Sequence, residues 1–115
     1  MLKSKLHRAT ITESCLDYEG SIAIDETLME AADFLQYERV DIYNVSNGER
    51  FSTYVIKGER NSGVICLNGA AARKGSRGDL IIIATYVNVD DKEAGNWHAR
   101  CVFLDGKNRI KTKKD

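Results

Sequence analysis

At 115 residues the chain fits one domain near the commonest size, large enough to bury a core but with no room for a second one. Lysine plus arginine and aspartate plus glutamate number 17 each, so the charge balance hints at neither a nucleic-acid groove nor a membrane-surface patch. Any functional site must therefore be local.

Most apolar positions fall in short runs of β-branched and aromatic residues separated by Gly, Asn and Asp, which is the pattern of many short strands and of a barrel. Strands are expected over residues 3–11, 21–24, 39–45, 50–56, 64–67, 80–89 and 98–104. Between the second and third, Leu28, Ala31, Ala32 and Leu35 recur at helical spacing over residues 26–35. Asp25 or Thr27 can cap that helix, and Thr27 with Glu30 would make a capping box. Asn47-Gly48 is a favoured two-residue hairpin turn between the third and fourth strands. The run Leu80-Ile81-Ile82-Ile83-Ala84 lacks polar alternation and reads as a strand covered on both faces. A second short helix is expected to begin near Asp90 and end by Gly95. The domain is expected to span residues 1–105, with residues 106–115 a basic, flexible tail.

Cys15, Cys66 and Cys101 are odd in number, widely spaced and free of any Cys-x-x-Cys pair, which points to reduced thiols and away from a disulfide framework or a zinc site. His7 and His98 lie far apart in sequence, so no metal is expected. No apolar stretch reads as a signal sequence or a membrane span, and a soluble, cytoplasmic protein with no nucleic-acid or membrane partner is the expectation.

The chemistry concentrates at Tyr18-Glu19-Gly20-Ser21. A serine hydroxyl can attack the carbonyl that precedes it, converting the amide to an ester, and elimination across the serine then breaks the chain. The new amino end, a dehydroalanine, hydrolyses to a pyruvoyl ketone with loss of ammonia, giving an electrophile that no ordinary side chain supplies. Gly-Ser alone is common in turns. Here it stands with Lys5-Leu6-His7-Arg8, with Asn47-Gly48-Glu49-Arg50-Phe51-Ser52-Thr53-Tyr54 and with Asn68-Gly69-Ala70-Ala71-Ala72. In these motifs, in register from about Lys3 to Asp105, the chain resembles the pyruvoyl-dependent aspartate 1-decarboxylases.

The resemblance implies a mainly β, small double-psi β-barrel with one or two short helices, assembled as a homotetramer with active sites at subunit boundaries. It implies cleavage between Gly20 and Ser21 into residues 1–20 and 21–115, and a pyruvoyl cofactor made from Ser21 in place of metal or pyridoxal phosphate. The reaction implied is decarboxylation of L-aspartate to β-alanine through an imine on the pyruvoyl group, an early step toward pantothenate. By matching position, Arg50 anchors a substrate carboxylate and Lys5 supplies a second cation. Thr53 polarises the Gly20 carbonyl during processing, and Tyr54 donates the proton to the carbanion. Asn68, Gly69 and Ala70 lie near the pyruvoyl, with Tyr18 and His7 lining the site.

Adjacent strand residues point to opposite faces, so Thr53 and Tyr54 cannot both serve one site from a flat strand. A maturation helper protein is a further possible partner. Arg77 before Gly78-Asp79, and Ala99 after His98, stand where proline is frequent in the family. The alternatives are a pyruvoyl enzyme acting on another acidic amino acid, and a barrel that never cleaves and only binds a partner.

Overall fold

The computed structural model describes all 115 residues, Met1–Asp115. Nine strands form: β1 (Leu2–Thr10), β2 (Glu13–Cys15), β3 (Ser21–Asp25), β4 (Arg39–Asn44), β5 (Arg50–Gly58), β6 (Ile65–Asn68), β7 (Leu80–Tyr86), β8 (Arg100–Leu104) and β9 (Ile110–Lys114). Helix α1 (Glu26–Ala32) follows β3, a 3₁₀ turn over Gly69–Arg73 follows β6, and the one-turn helix α2 (Asp91–Ala94) follows β7. The fold is of the mainly β, small-barrel class expected. Its ladder runs β2-β6-β3-β5-β4-β7-β1-β8-β9. Most neighbours are antiparallel, but β1 with β8, β3 with β5, and β2 with β6 run parallel, so the chain must cross over between them.

Alternation along the strands builds the core. Leu6, Ile22, Ile24, Val40, Ile42, Val55, Ile65, Leu67, Ile81, Ile83 and Val102 are fully buried and belong to one apolar cluster. One face of α1 closes it with Leu28, Met29 and Ala32. Each of the larger side chains contributes about 1.5–3 kcal/mol by leaving water.

Two buried or half-buried carboxylates tie elements together. Asp25 caps α1 by accepting from Thr27 N at 2.8 Å, and also accepts from Asn61 N and Gly63 N, pinning the β5–β6 loop to the helix start. Glu38 accepts from the Leu35 amide, the Thr85 hydroxyl and the Lys3 ammonium, joining the loop after α1 to β7 and β1. Burial pulls the Glu38 carboxyl upward, but those three donors outweigh it and hold it below the ordinary value of 4.5.

Several elements differ from the sequence expectation. Helix α1 stops at Ala32 because Asp33 takes the left-handed conformation at its C-cap, which leaves Leu35 exposed outside the helix. The capping box does not form: the Thr27 hydroxyl bonds Asn61, and Glu30 pairs with Arg60. The β4–β5 connection is wider than a two-residue turn. Asn44 accepts from the Ser46 and Asn47 amides through its side chain, and only Gly48 of the Asn-Gly pair has positive φ. Leu80 and Ile82 on β7 are only half-buried, so one face of that strand is fully covered and the other is not. Residues 110–114, placed by sequence in a flexible tail, form β9 against β8. The short strand β2 was not expected.

Candidate active site

Alternate residues of three adjacent strands build one concave face. In the ladder β3 lies between β5 and β6, with Ser21 opposite Asn68, Ala23 opposite Cys66 and also opposite Ile56. The intervening residues Ile22, Ile24, Val55 and Leu67 face the core. The outer set (Ser21, Ala23, Tyr54, Ile56, Cys66 and Asn68) therefore shares a face, and with Tyr18, Glu19 and Tyr37 it lines a cleft of about 570 Å³.

At its floor Ser21 is 2% exposed, and Asn68 Nδ2 donates to Ser21 Oγ at 3.2 Å. The Cys66 thiol donates to Asn68 Oδ1 at 3.2 Å, which orients the amide for that contact. Burial first, then the hydrogen bond and charge of Cys15, push the Cys66 thiol up to about 12, so it remains a protonated donor at neutral pH. Tyr54 stands at the rim with Tyr37, ring centroids 6.3 Å apart. The segment before Ser21 passes hard against Gly69, whose φ is +62. A Cβ there would lie 2.7 Å from Gly20 Cα, Gly20 N and Tyr18 O.

The structure thus brings Tyr18, Gly20, Ser21, Tyr54, Asn68 and Gly69 together, with Ala70 following in the 3₁₀ turn. It does not gather the rest within one chain. Arg50, four residues before Tyr54 on β5, lies over the Tyr43 ring at 3.9 Å, in a shallow surface depression with Asp41, Phe51 and Ser52. Tyr43 is itself pushed up to about 12 by burial and by its hydroxyl contact with Tyr86. Thr53 sits opposite Val40 on the other side of β5 from Tyr54, and its hydroxyl makes no hydrogen bond with Gly20. Lys5 and His7 lie on β1, with β5, β4 and β7 between it and β3 in the ladder. The His7 ring packs edge-on against Phe103, and burial, then Lys5 and Arg8, hold its basicity below the ordinary 6.5.

Sequence reading missed Cys66, Ala23 and Ile56 as lining residues, although period-two alternation from Asn68 and Ser21 marks Cys66 and Ala23. Tyr37 left no such signal, because it sits in a loop at positive φ. A second cleft of equal size, lined by Asp25, Asn61, Lys107, Asn108 and Arg109 among others, has hydroxyls only from Thr27 and Ser62, which donate to Asn61 Oδ1 and Glu59 O. Its buried side chains Asp25 and Asn108 already have their hydrogen bonds made within the chain.

Fold and cleft define a small β-barrel protein with a buried serine, an orienting amide and a rim tyrosine on one face, behind a chain segment held by glycine contact. A family model described as aspartate decarboxylase matches residues 1–111. The aspartate 1-decarboxylase of Syntrophus aciditrophicus is 68% identical over 111 residues, covering 96% of each chain. That of Methylobacillus flagellatus is 60% identical over 99% of this chain and 90% of its own. The Paraburkholderia phymatum enzyme is 59% identical over 100% and 91%. The chain belongs to the aspartate decarboxylase family, whose members are pyruvoyl-dependent carboxy-lyases.

Proposed function

We propose that the chain cleaves itself between Gly20 and Ser21 and then decarboxylates L-aspartate to β-alanine, a precursor of pantothenate and coenzyme A. Near-full-length identity to aspartate 1-decarboxylases supports the reaction. The observation that supports the site is the buried Ser21 hydroxyl held by Asn68 directly after the Gly20 segment that packs on Gly69. These residues fit a pyruvoyl group generated in place from Ser21, which would supply an electron-accepting ketone and amide for loss of the α-carboxylate. Asn68 orients the reacting position, and the cleft beside it has room for a small amino acid.

Tyr54, on the same face as Ser21, is the proton donor to the substrate carbon. Thr53 acts in processing, stabilising charge on the Gly20 carbonyl oxygen once the segment rearranges. Arg50 and Lys5 hold the substrate carboxylates, with Ala70, Tyr18 and His7 around them. The separation of Arg50, Lys5 and His7 from the Ser21 cleft within one chain supports a homotetramer in which subunits complete one another's sites. The enzyme is cytoplasmic. No helix of the chain is long and apolar enough to cross a membrane.

A denaturing gel followed by intact mass tests the proposal. Wild-type protein should yield fragments 1–20 and 21–115, the latter lighter by one ammonia than simple hydrolysis leaves it. Ser21→Ala should stay whole. An uncleaved wild type would favour a barrel that only binds, and a Ser21→Ala protein that still splits would refute serine attack.

A further inference from the structure

Strands β2 and β6 run parallel, with Glu13 opposite Cys66 and Cys15 opposite Asn68. Cys15 Sγ thereby lies 3.9 Å from Cys66 Sγ and 4.0 Å from Glu13 Oε2. One donor atom from each of the three residues falls within 4.8 Å of the others. No lysine or arginine pairs with Glu13; every ion pair of the chain engages other carboxylates. Two sulfurs bound about 2.3 Å from a tetrahedral ion stand about 3.8 Å apart, the spacing these thiols already have. A disulfide would instead need them to close to about 2.05 Å.

We propose that Glu13, Cys15 and Cys66 bind one thiophilic divalent cation of the Zn²⁺ type in the wall of the catalytic cleft, and that its binding slows maturation by releasing Asn68. Two thiolates and one carboxylate select such an ion over Mg²⁺ or Ca²⁺, which want oxygen alone. Coordination sends both thiol protons to solvent. The Cys66 sulfur then has no proton to give Asn68 Oδ1, and the amide that donates to Ser21 Oγ loses the contact that orients it. The chain from ion to Ser21 is two side chains long. This effect on maturation rests on the cleavage proposed above, whereas binding does not.

Cobalt(II) serves as the spectroscopic probe on full-length protein kept reduced and anaerobic. One equivalent should saturate a thiolate-to-cobalt charge-transfer band that Zn²⁺ then bleaches. Cys15→Ser should abolish the band, Cys101→Ser should retain it, and Glu13→Gln should weaken affinity about tenfold or more. Zn²⁺ should also lengthen the half-time of Gly20–Ser21 cleavage about tenfold or more in wild type and Cys101→Ser, but leave Cys15→Ser unchanged. No band, or a band that survives Cys15→Ser, would overturn the site. Equal cleavage rates with and without Zn²⁺ would overturn the link to Asn68. Failure to cleave in metal-free protein would count against self-processing, and the cobalt titration would then decide the site alone.

Discussion

The Gly20–Ser21 bond draws the eye, yet the glycine that space demands is Gly69. A Cβ on Gly20 would meet only Asn68 O at 3.9 Å, whereas one on Gly69 would collide with the Gly20 and Tyr18 backbone and also face a left-handed φ. Gly69→Ala should therefore fold but displace the segment before Ser21. A shift of about 1 Å in a reacting group costs about a hundredfold in rate, so cleavage in this variant should slow by that order. Gly48→Ala provides the control, because Gly48 also has positive φ but has nothing within 4 Å of its Cβ position. A time course on denaturing gels measures both. Equal rates for Gly69→Ala and Gly48→Ala would show that the Gly69 contact does not position the bond.

Among the elements, Glu38 is the joint that orders β1, β7 and the loop after α1. Its carboxylate is held below its ordinary value, so its contribution to stability is fully present above about pH 4.5 and fades as pH falls through the lowered folded value. Thermal melting of the wild type should accordingly steepen in its loss of Tm below pH 4.5. Glu38→Gln, which keeps the shape but cannot carry the charge, should melt lower at neutral pH and show a flatter acid limb. Identical acid limbs would assign the pH dependence to other carboxylates. The same network explains a pairing that sequence did not suggest, since Lys3, thirty-five residues before Glu38, faces it only because the strand order brings β1 alongside β7.

At the scale of the molecule, one chain leaves Tyr18 and Tyr37 more than 65% exposed at the cleft, and Leu35, Tyr86 and Val45 roughly half to two-thirds exposed elsewhere. Large side chains gathered near a site that lacks its expected cations fit a surface completed by other subunits. The prediction is that activity per chain falls together with mass on dilution. Sedimentation velocity run beside an aspartate decarboxylation assay checks it, and full specific activity from a monomer would end the assembly argument.

Much of this protein was legible in its residues. Alternating β-branched runs located seven of the nine strands, and the Ser21, Tyr54 and Asn68 motifs marked the cleft, because strand periodicity and local motifs are properties of neighbouring residues. The short strand β2 has too few residues to show a period, and the lysine-rich β9 reads as solvated tail until β8 supplies its hydrogen-bond partner. The end of α1 at Ala32 was likewise hidden, since Leu35 continues the helical spacing while Asp33 turns left-handed. Spatial meetings were beyond reach. Cys15 and Cys66 read as isolated thiols at a separation of 51 residues, yet the parallel pairing of β2 with β6 sets their sulfurs 3.9 Å apart. Strand alternation already separates Thr53 from Tyr54, but only the pairing of β5 with β3 decides that Tyr54 is the one on the Ser21 side. Residue chemistry and local periodicity follow from the order of amino acids, whereas which groups converge depends on ladder order and register, and those are settled only when the whole core packs.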